Sequence, residues 1–449
     1  MMGISGAGWQ SMRNLPRRWI ALAFVACAIF AGAVALVSTN HLHQLWGTMA
    51  ACGYVLAAVA VLVWPMVGKS ARGVDLALIL ALCGALLVPL AWMAAGNTEQ
   101  PEVTVIVRSA VTLIHHGTPY QPDTLLASTR DPDAYTPSLP VMARFGLPRA
   151  LFGNDPLTDP RIWFGLVFGV VFWLALRRGG ARDSALWTCA LAASPVIAFE
   201  LTVGGDDVPM VAFLCLGYAL AWQSRPVASG VALGIGAAMK ATAWPAVLVA
   251  FTYLVVSGGR RAVTRFTLAV LAVMAVCVGP FLLTHPRSLL QNTIAFPLGL
   301  AHVESQASSP LPGHLISQTG SAGHLTVVVL FCLAGLGVAV SLVVRPPRTV
   351  PSATIRLVVA LTLMFVLAPS TRFGYFIYPA ALVIWLLVCL GGRRSLADTL
   401  QGPVGAGNPV EPAASPPARP EPVAPPGPRS RVPRMRTSLR TSVRSRPAG

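Results

Sequence analysis

The chain has 449 residues, of which 55% are hydrophobic and only 11% charged, and its mean hydropathy is +0.66. That composition excludes a soluble globule of this length and indicates a polytopic membrane protein. The formal charge of +17 does not indicate nucleic acid, because it divides between the ends of apolar windows and a basic tail without interleaved aromatics.

Crossing ~30 Å of hydrocarbon takes roughly 17–25 apolar residues. Apolar windows near that length fall at 18–38, 48–67, 74–95, 161–176, 184–200, 207–222, 227–240, 242–257, 265–284, 324–344, 355–369 and 374–391. The fold expected is an all-α bundle of about twelve transmembrane helices. The first window is longer than a signal-peptide core and lacks a clear cleavage site, so it is expected to remain as an anchor.

Arg13, Arg17 and Arg18 precede the first window, and Lys69 and Arg72 follow the second. Arg177, Arg178 and Arg182, then Arg225, then Arg260, Arg261 and Arg265, then Arg345 and Arg348, then Arg393 and Arg394 fall on the same side of the alternation. Short cytoplasmic loops are enriched in such residues. The reading is a multi-pass protein of the cell membrane with both termini cytoplasmic and loops 96–160, 201–206 and 285–323 outside. It divides the chain into N-terminal membrane helices (1–95), an extracytoplasmic loop (96–160), the main bundle (161–392) and a basic tail (393–449). The tail is rich in Pro, Ala and Arg and lacks the apolar content to fold; its expected partner is anionic lipid.

Loop 96–160 interrupts the apolar series. After Glu102, the spacing of Val105/Ile106, Ser109/Ala110 and Leu113 predicts an interfacial helix with Arg108 near the interface and its stem in lipid; the plainer alternative has Glu102 and Arg108 as ordinary polar residues of the wet face. His115 and His116 are neighbours that diverge on a helix and have no carboxylate at ligand spacing, so they are read as loop histidines. The eight Cys residues all lie in apolar windows and read as small core residues; no cofactor and no metal is implied.

Asp206 and Asp207 open the window at 207–222, either as helix caps or as bases. Lys240 is one of only two lysines against 31 arginines. It falls at the outer end of a short window, where the positive-inside tendency disfavours it, which marks it as a functional candidate. Residues His302, Glu304, Ser305 and Gln306, in the loop 285–323, are candidates for shaping a groove.

The pattern Glu102, Arg108, Gly117, Pro119, Tyr120 resembles the loop motif of glycosyltransferase family 87, whose members resemble polyprenol-phosphate-mannose-dependent mannosyltransferases of the GT-C class. Tyr135, Pro137 and Pro140 match a downstream element, as do Gly204, Gly205, Asp206 and Asp207, and then Gly234, Gly236, Lys240, Thr242 and Pro245. The resemblance covers roughly 100–250. The chain departs from the family in two respects: Glu102 stands where Asp is frequent, and three windows precede the loop where one is usual.

The resemblance implies a GT-C-like fold and a metal-independent, inverting transfer of a hexose, with mannose as the candidate, from a polyprenyl-phosphate donor to an extracytoplasmic glycan or glycolipid. Such a reaction needs a carboxylate to take the acceptor's proton and cations for the departing phosphate. Glu102, Asp206 and Asp207 are the candidate bases, and Arg108, Lys240 and Arg372 the candidate phosphate partners, with Tyr120 and Tyr135 as further substrate contacts. Two other readings compete: a secondary transporter, for which no half-repeat is visible, and a noncatalytic scaffold in envelope assembly.

Overall fold

The computed structural model describes residues 15–67, 70–301, 303 and 305–401. Expectations resting on Arg13, Lys69, His302, Glu304 and the tail beyond 401 lie outside the described residues. Among those residues the architecture is all-helical, and the β structure is limited to an isolated bridge between Ser308 and Thr371.

Helices α1 (Arg17–Val37) and α2 (His41–Val67) form a hairpin that packs on α3 (Ser70–Leu82). Helix α3 continues through a π turn, Cys83–Leu87, into α4 (Val88–Ala95). A π turn disturbs the regular carbonyl ladder, and here the buried Trp46 indole donates to the Ala85 carbonyl at 2.8 Å. The polar loop then forms α5 (Pro101–His116) and three short helices, α6 (Asp123–Ser128), α7 (Pro140–Ala143) and α8 (Leu147–Phe152). The amphipathic helix foreseen after Glu102 is α5; it buries Val103, Val105, Ile106, Ser109 and Ala110. Pro101 starts it and Gly117, in the left-handed region at φ 69°, ends it.

Helix α9 (Pro160–Gly179) leads into α10 (Ser184–Ala192) and α11 (Pro195–Val203), which meet at a 59° bend. Pro195 interrupts the helical ladder there, and the Tyr54 hydroxyl donates to the Ala193 carbonyl at 2.6 Å, which satisfies it inside the bundle. Next come α12 (Val208–Trp222), α13 (Pro226–Met239), α14 (Trp244–Ser257) and α15 (Gly259–Cys277). Every residue of α12 except Phe213 and Trp222 is buried, as expected of a helix that is apolar all round and central. It packs against α9, α13 and α21. The short helices α16 (Gly279–Thr284), α17 (Pro286–Leu290) and α18 (Pro312–Ser317) precede α19 (Ser321–Val344), α20 (Val350–Leu367) and α21 (Ile377–Gln401).

Seven helices among the described residues are long and apolar enough to cross a membrane, or eight if the bent α10–α11 pair is one span. The protein is therefore a polytopic membrane protein, although the count of twelve is not reproduced. The windows at 207–222, 227–240 and 242–257 fold as shorter apolar helices, α12, α13 and α14, with Pro209, Pro226 and Pro245 in their first turns.

The loops 96–160 and 285–303 fold against each other as one layer. Tyr135 stacks on Phe296 at 4.5 Å, the Thr136 amide donates to Asn292 Oδ1 at 2.7 Å, and Ser288 donates to Asp123 at 2.7 Å. A buried ionic clamp ties this layer to the bundle. Arg161 and Asp159 are both fully buried and paired, and Arg149 bridges Asp159 at 2.8 Å and Glu99 at 2.6 Å. Arg161 also donates to the Thr98 and Thr202 carbonyls, at 3.0 and 2.8 Å. One guanidinium thus joins the chain just before α5 to the end of α11.

Candidate active site

Two glycines in succession end α11 and turn the chain into α12. Gly204 has φ 134°, and a Cβ there would come within 2.7 Å of Val103, so the close approach of α5 requires glycine. The turn leaves Asp206 and Asp207 at the start of α12, both largely buried. Lys240, in extended backbone just after α13, donates to Asp206 Oδ1 at 2.9 Å and to Asp207 Oδ1 at 2.7 Å. Ser138 donates to the other oxygen of Asp206 at 3.0 Å, and the Tyr378 hydroxyl donates to Asp207 at 2.6 Å. Thr242 lies 2.9 Å from that hydroxyl, and Lys240 Nζ sits 5.7 Å from the Tyr375 ring centroid. Lys240 is therefore held by carboxylates on both sides.

Glu102, at the start of α5, forms an ion pair with Arg372. That pair is the more open part of the site, with side-chain exposures of 35% for Arg372 and 23% for Glu102. Arg372 is fixed by its neighbour Thr371, whose amide donates to the Ala307 carbonyl and whose carbonyl accepts from Ser309, each at 2.9 Å.

The segment after Arg372 connects both halves of the site. Arg372 pairs with Glu102, Gly374 lies against the Glu200 carboxylate, Tyr375 faces Lys240, and Tyr378 bonds Asp207. Its 3-10 turn, Phe373–Phe376, leads directly into α21. Of the sequence candidates, Glu102 and Arg372 come together, as do Asp206, Asp207 and Lys240.

Arg108 lies elsewhere. Six residues along α5 place it about 9 Å from Glu102 along the axis and on another face. It donates to the Tyr135 carbonyl at 3.3 Å, and its buried Nε has no partner. Burial lowers the Arg108 pKa from its ordinary value, while nearby Asp131 and Asp133 act in the opposite direction. Asp133 in turn is raised by burial and by Asp131, despite Gln306 and Arg108. Tyr120 and Tyr135 are each 1% exposed. The Tyr120 hydroxyl donates to the Ser138 carbonyl at 3.2 Å, and Tyr135 belongs to the packed loop layer. Both shape the loops from inside.

Sequence reasoning did not single out Glu200, Tyr375 or Tyr378. Glu200 carried a usable signal, since an acidic residue closing an apolar window is a functional candidate by the same rule that marked Lys240. Tyr375 and Tyr378 carried none beyond their place after Arg372.

The sequence model of glycosyltransferase family 87 matches residues 140–369, just over half of the chain. The chain belongs to glycosyltransferase family 87. Membership identifies a membrane glycosyltransferase and sets aside the carrier and scaffold readings. The matched region includes Asp206, Asp207 and Lys240. It begins after Glu102 and Arg108 and continues well past 250, where the resemblance was expected to fade. No curated protein and no solved structure matches the chain.

Proposed function

We propose that this family 87 glycosyltransferase moves a hexose, with mannose as the candidate, from a polyprenyl-phosphate donor to an extracytoplasmic glycan or glycolipid. The observation that carries the reading is a charged cluster that includes Lys240 and Thr242, with an apolar groove lined in part by the helix that begins just after them, α14. The groove, of about 260 Å³, is lined wholly by apolar residues of α14, α19 and α20, among them Pro245, Phe331, Val338 and Met364. Its lining includes Pro245, three residues past Thr242. In this reading the groove takes part of the donor's apolar chain, and the cations of the cluster meet its phosphate.

In this reading the acceptor oxygen attacks the anomeric carbon from the face opposite the phosphate, the anomeric carbon–oxygen bond breaks, and polyprenyl phosphate leaves. Glu102 takes the acceptor's proton, with the Asp206/Asp207 pair as the other candidates. Arg372 is the most open cation of the cluster and meets the departing phosphate, whereas Arg108, bonded to the Tyr135 carbonyl, stays in the loop layer. Lys240, held between two carboxylates, keeps them apart and orients the pair. No metal has a role in this scheme.

Purified protein incubated with polyprenyl-phosphate [3H]mannose should release polyprenyl phosphate; release with a sugar nucleotide but not with the lipid-linked sugar would overturn the donor assignment. Glu102→Gln should lower transfer by about 10²-fold, the scale for loss of a general base. Full activity in Glu102→Gln with loss in Asp206→Asn or Asp207→Asn would move the base to the later pair.

The loop layer is proposed to face the exterior. Ser128, at the exposed end of α6, gives a direct probe. In a background free of the native Cys, Ser128→Cys is expected to react with an impermeant maleimide in intact cells. Reaction only after the cells are opened would invert the orientation.

A further inference from the structure

Most carboxylates at this end of the bundle are already engaged. Glu99 and Asp159 are bound by Arg149 and Arg161, Glu102 by Arg372, and Asp206 and Asp207 by Lys240. Glu200 is the exception: no described residue hydrogen-bonds to its carboxylate or forms an ion pair with it. It is half-buried, on the last turn of α11, within electrostatic reach of Asp206, Asp207 and Lys240.

Its surroundings are shaped to leave room for both oxygens. A Cβ on Gly205 would come within 2.5 Å of Oε2, and a Cβ on Gly374 would collide with Oε1. The two glycines therefore form a slot for the carboxylate, one from the α11–α12 turn and one from the turn that carries Arg372. Next to Gly374, the Phe373 side chain is 57% exposed.

We propose that Glu200 is the sugar-recognition residue of this site, accepting hydrogen bonds from a vicinal pair of hydroxyls on a hexopyranose while Phe373 covers an apolar face of the ring. A carboxylate offers two oxygens and about four lone-pair positions, and it keeps acceptor capacity even when protonated, so it suits a diol in either state. No described side chain or backbone group of the protein donates to its oxygens, so they are free to accept from a ligand. The bound sugar supplies the missing donors. The assignment rests on the reading that this end of the bundle is the transfer site, and it holds for a sugar on the donor or on the acceptor.

The test is equilibrium binding to purified protein in lipid nanodiscs, with polyprenyl-phosphate [3H]mannose as one probe and [3H]octyl α-mannoside as the other. Glu200→Gln is nearly isosteric, and Gly374→Ala displaces the carboxylate without removing it. Both should weaken one of the two probes by roughly 10- to 100-fold, the range for losing a hydrogen bond to a charged group. Thermal unfolding of Glu200→Gln should stay close to that of the wild type. The probe that weakens identifies which sugar Glu200 holds. Equal binding of both probes by wild type and Glu200→Gln, or binding of neither by the wild type, would overturn the assignment. Sugar transfer in the same nanodiscs tests the parent reading separately. Turnover without a Glu200 effect leaves the function and removes this role, whereas Glu200-dependent binding without turnover does the reverse.

Discussion

Lys240→Met is expected to lower the unfolding temperature sharply and to abolish sugar transfer. The substitution leaves Asp206 and Asp207 adjacent, each side chain about a tenth exposed, without the cation that now contacts both. Removing one partner of a buried pair costs about 3–5 kcal/mol, because the remaining charge is left uncompensated. Lys240→Arg should recover only part of the loss, since a planar guanidinium cannot place one nitrogen between the two Oδ1 atoms as an ammonium does. The double variant Lys240→Met/Asp207→Asn should be more stable than Lys240→Met alone. Thermal unfolding in detergent together with steady-state kinetics provides the check. A Lys240→Met protein with wild-type stability and only a weakened donor dependence would make Lys240 a direct phosphate ligand instead.

The second large effect belongs to the clamp beneath the loop layer. Arg161→Met leaves Asp159 fully buried beside Arg149 alone and frees the Thr98 and Thr202 carbonyls, so a loss of about 3–5 kcal/mol is again expected. Transfer should fall as well, because the same guanidinium sets Glu102 relative to the α11–α12 turn. The clamp also makes a pH prediction. Burial by itself would raise Asp159, but hydrogen bonds and charge from Arg161, with Arg149, bring it below its ordinary value of 3.8. A depressed carboxylate stabilises the fold above its unfolded value, and that contribution is lost as pH falls through the lower folded value. The wild type should therefore lose stability below about pH 4, and Asp159→Asn should be less stable at neutral pH and less sensitive to acid in that window. Equal acid sensitivity in both proteins would show that Asp159 does not control it.

Much of the membrane character was legible because hydrocarbon imposes a length and an apolar composition that a linear reading detects. Helix α5 was legible for a related reason: its 3.6-residue period, its opening Pro101 and its closing Gly117 are local signals. The count of twelve is not reproduced, since three apolar windows fold as helices too short for the length criterion and the window at 265–284 straddles the break between α15 and α16. At the site, Lys240 stood out by rarity and position, and Asp206 and Asp207 by their place at the start of a window, but their pairing did not. Asp206 and Asp207 lie more than thirty residues before Lys240, and Tyr378 lies 171 positions beyond Asp207. Glu102 meeting Arg372 is a contact of the same kind. Motif spacing records neighbours along the chain, whereas this cluster is assembled by helix ends from separate parts of the sequence. The burial of Tyr120 and Tyr135 was equally hidden, because a tyrosine in a polar loop reads the same whether it faces a ligand or a carbonyl.

The turn carrying Arg372, Gly374, Tyr375 and Tyr378 has a consequence for biogenesis. Synthesis runs from the N-terminus, so Asp206, Asp207 and Lys240 leave the ribosome well before that turn. The mutual pairing of these three is available as soon as α13 follows α12, and it reduces the penalty of bringing ionisable groups to membrane depth. Arg372 and both tyrosines arrive only with the last long helix. A nascent chain halted before α21 thus holds a neutralised but incomplete cluster, with Glu102 lacking its cation and the slot around Glu200 open on one side. The full cluster therefore comes into being only when the turn before the final helix and the start of that helix are in place.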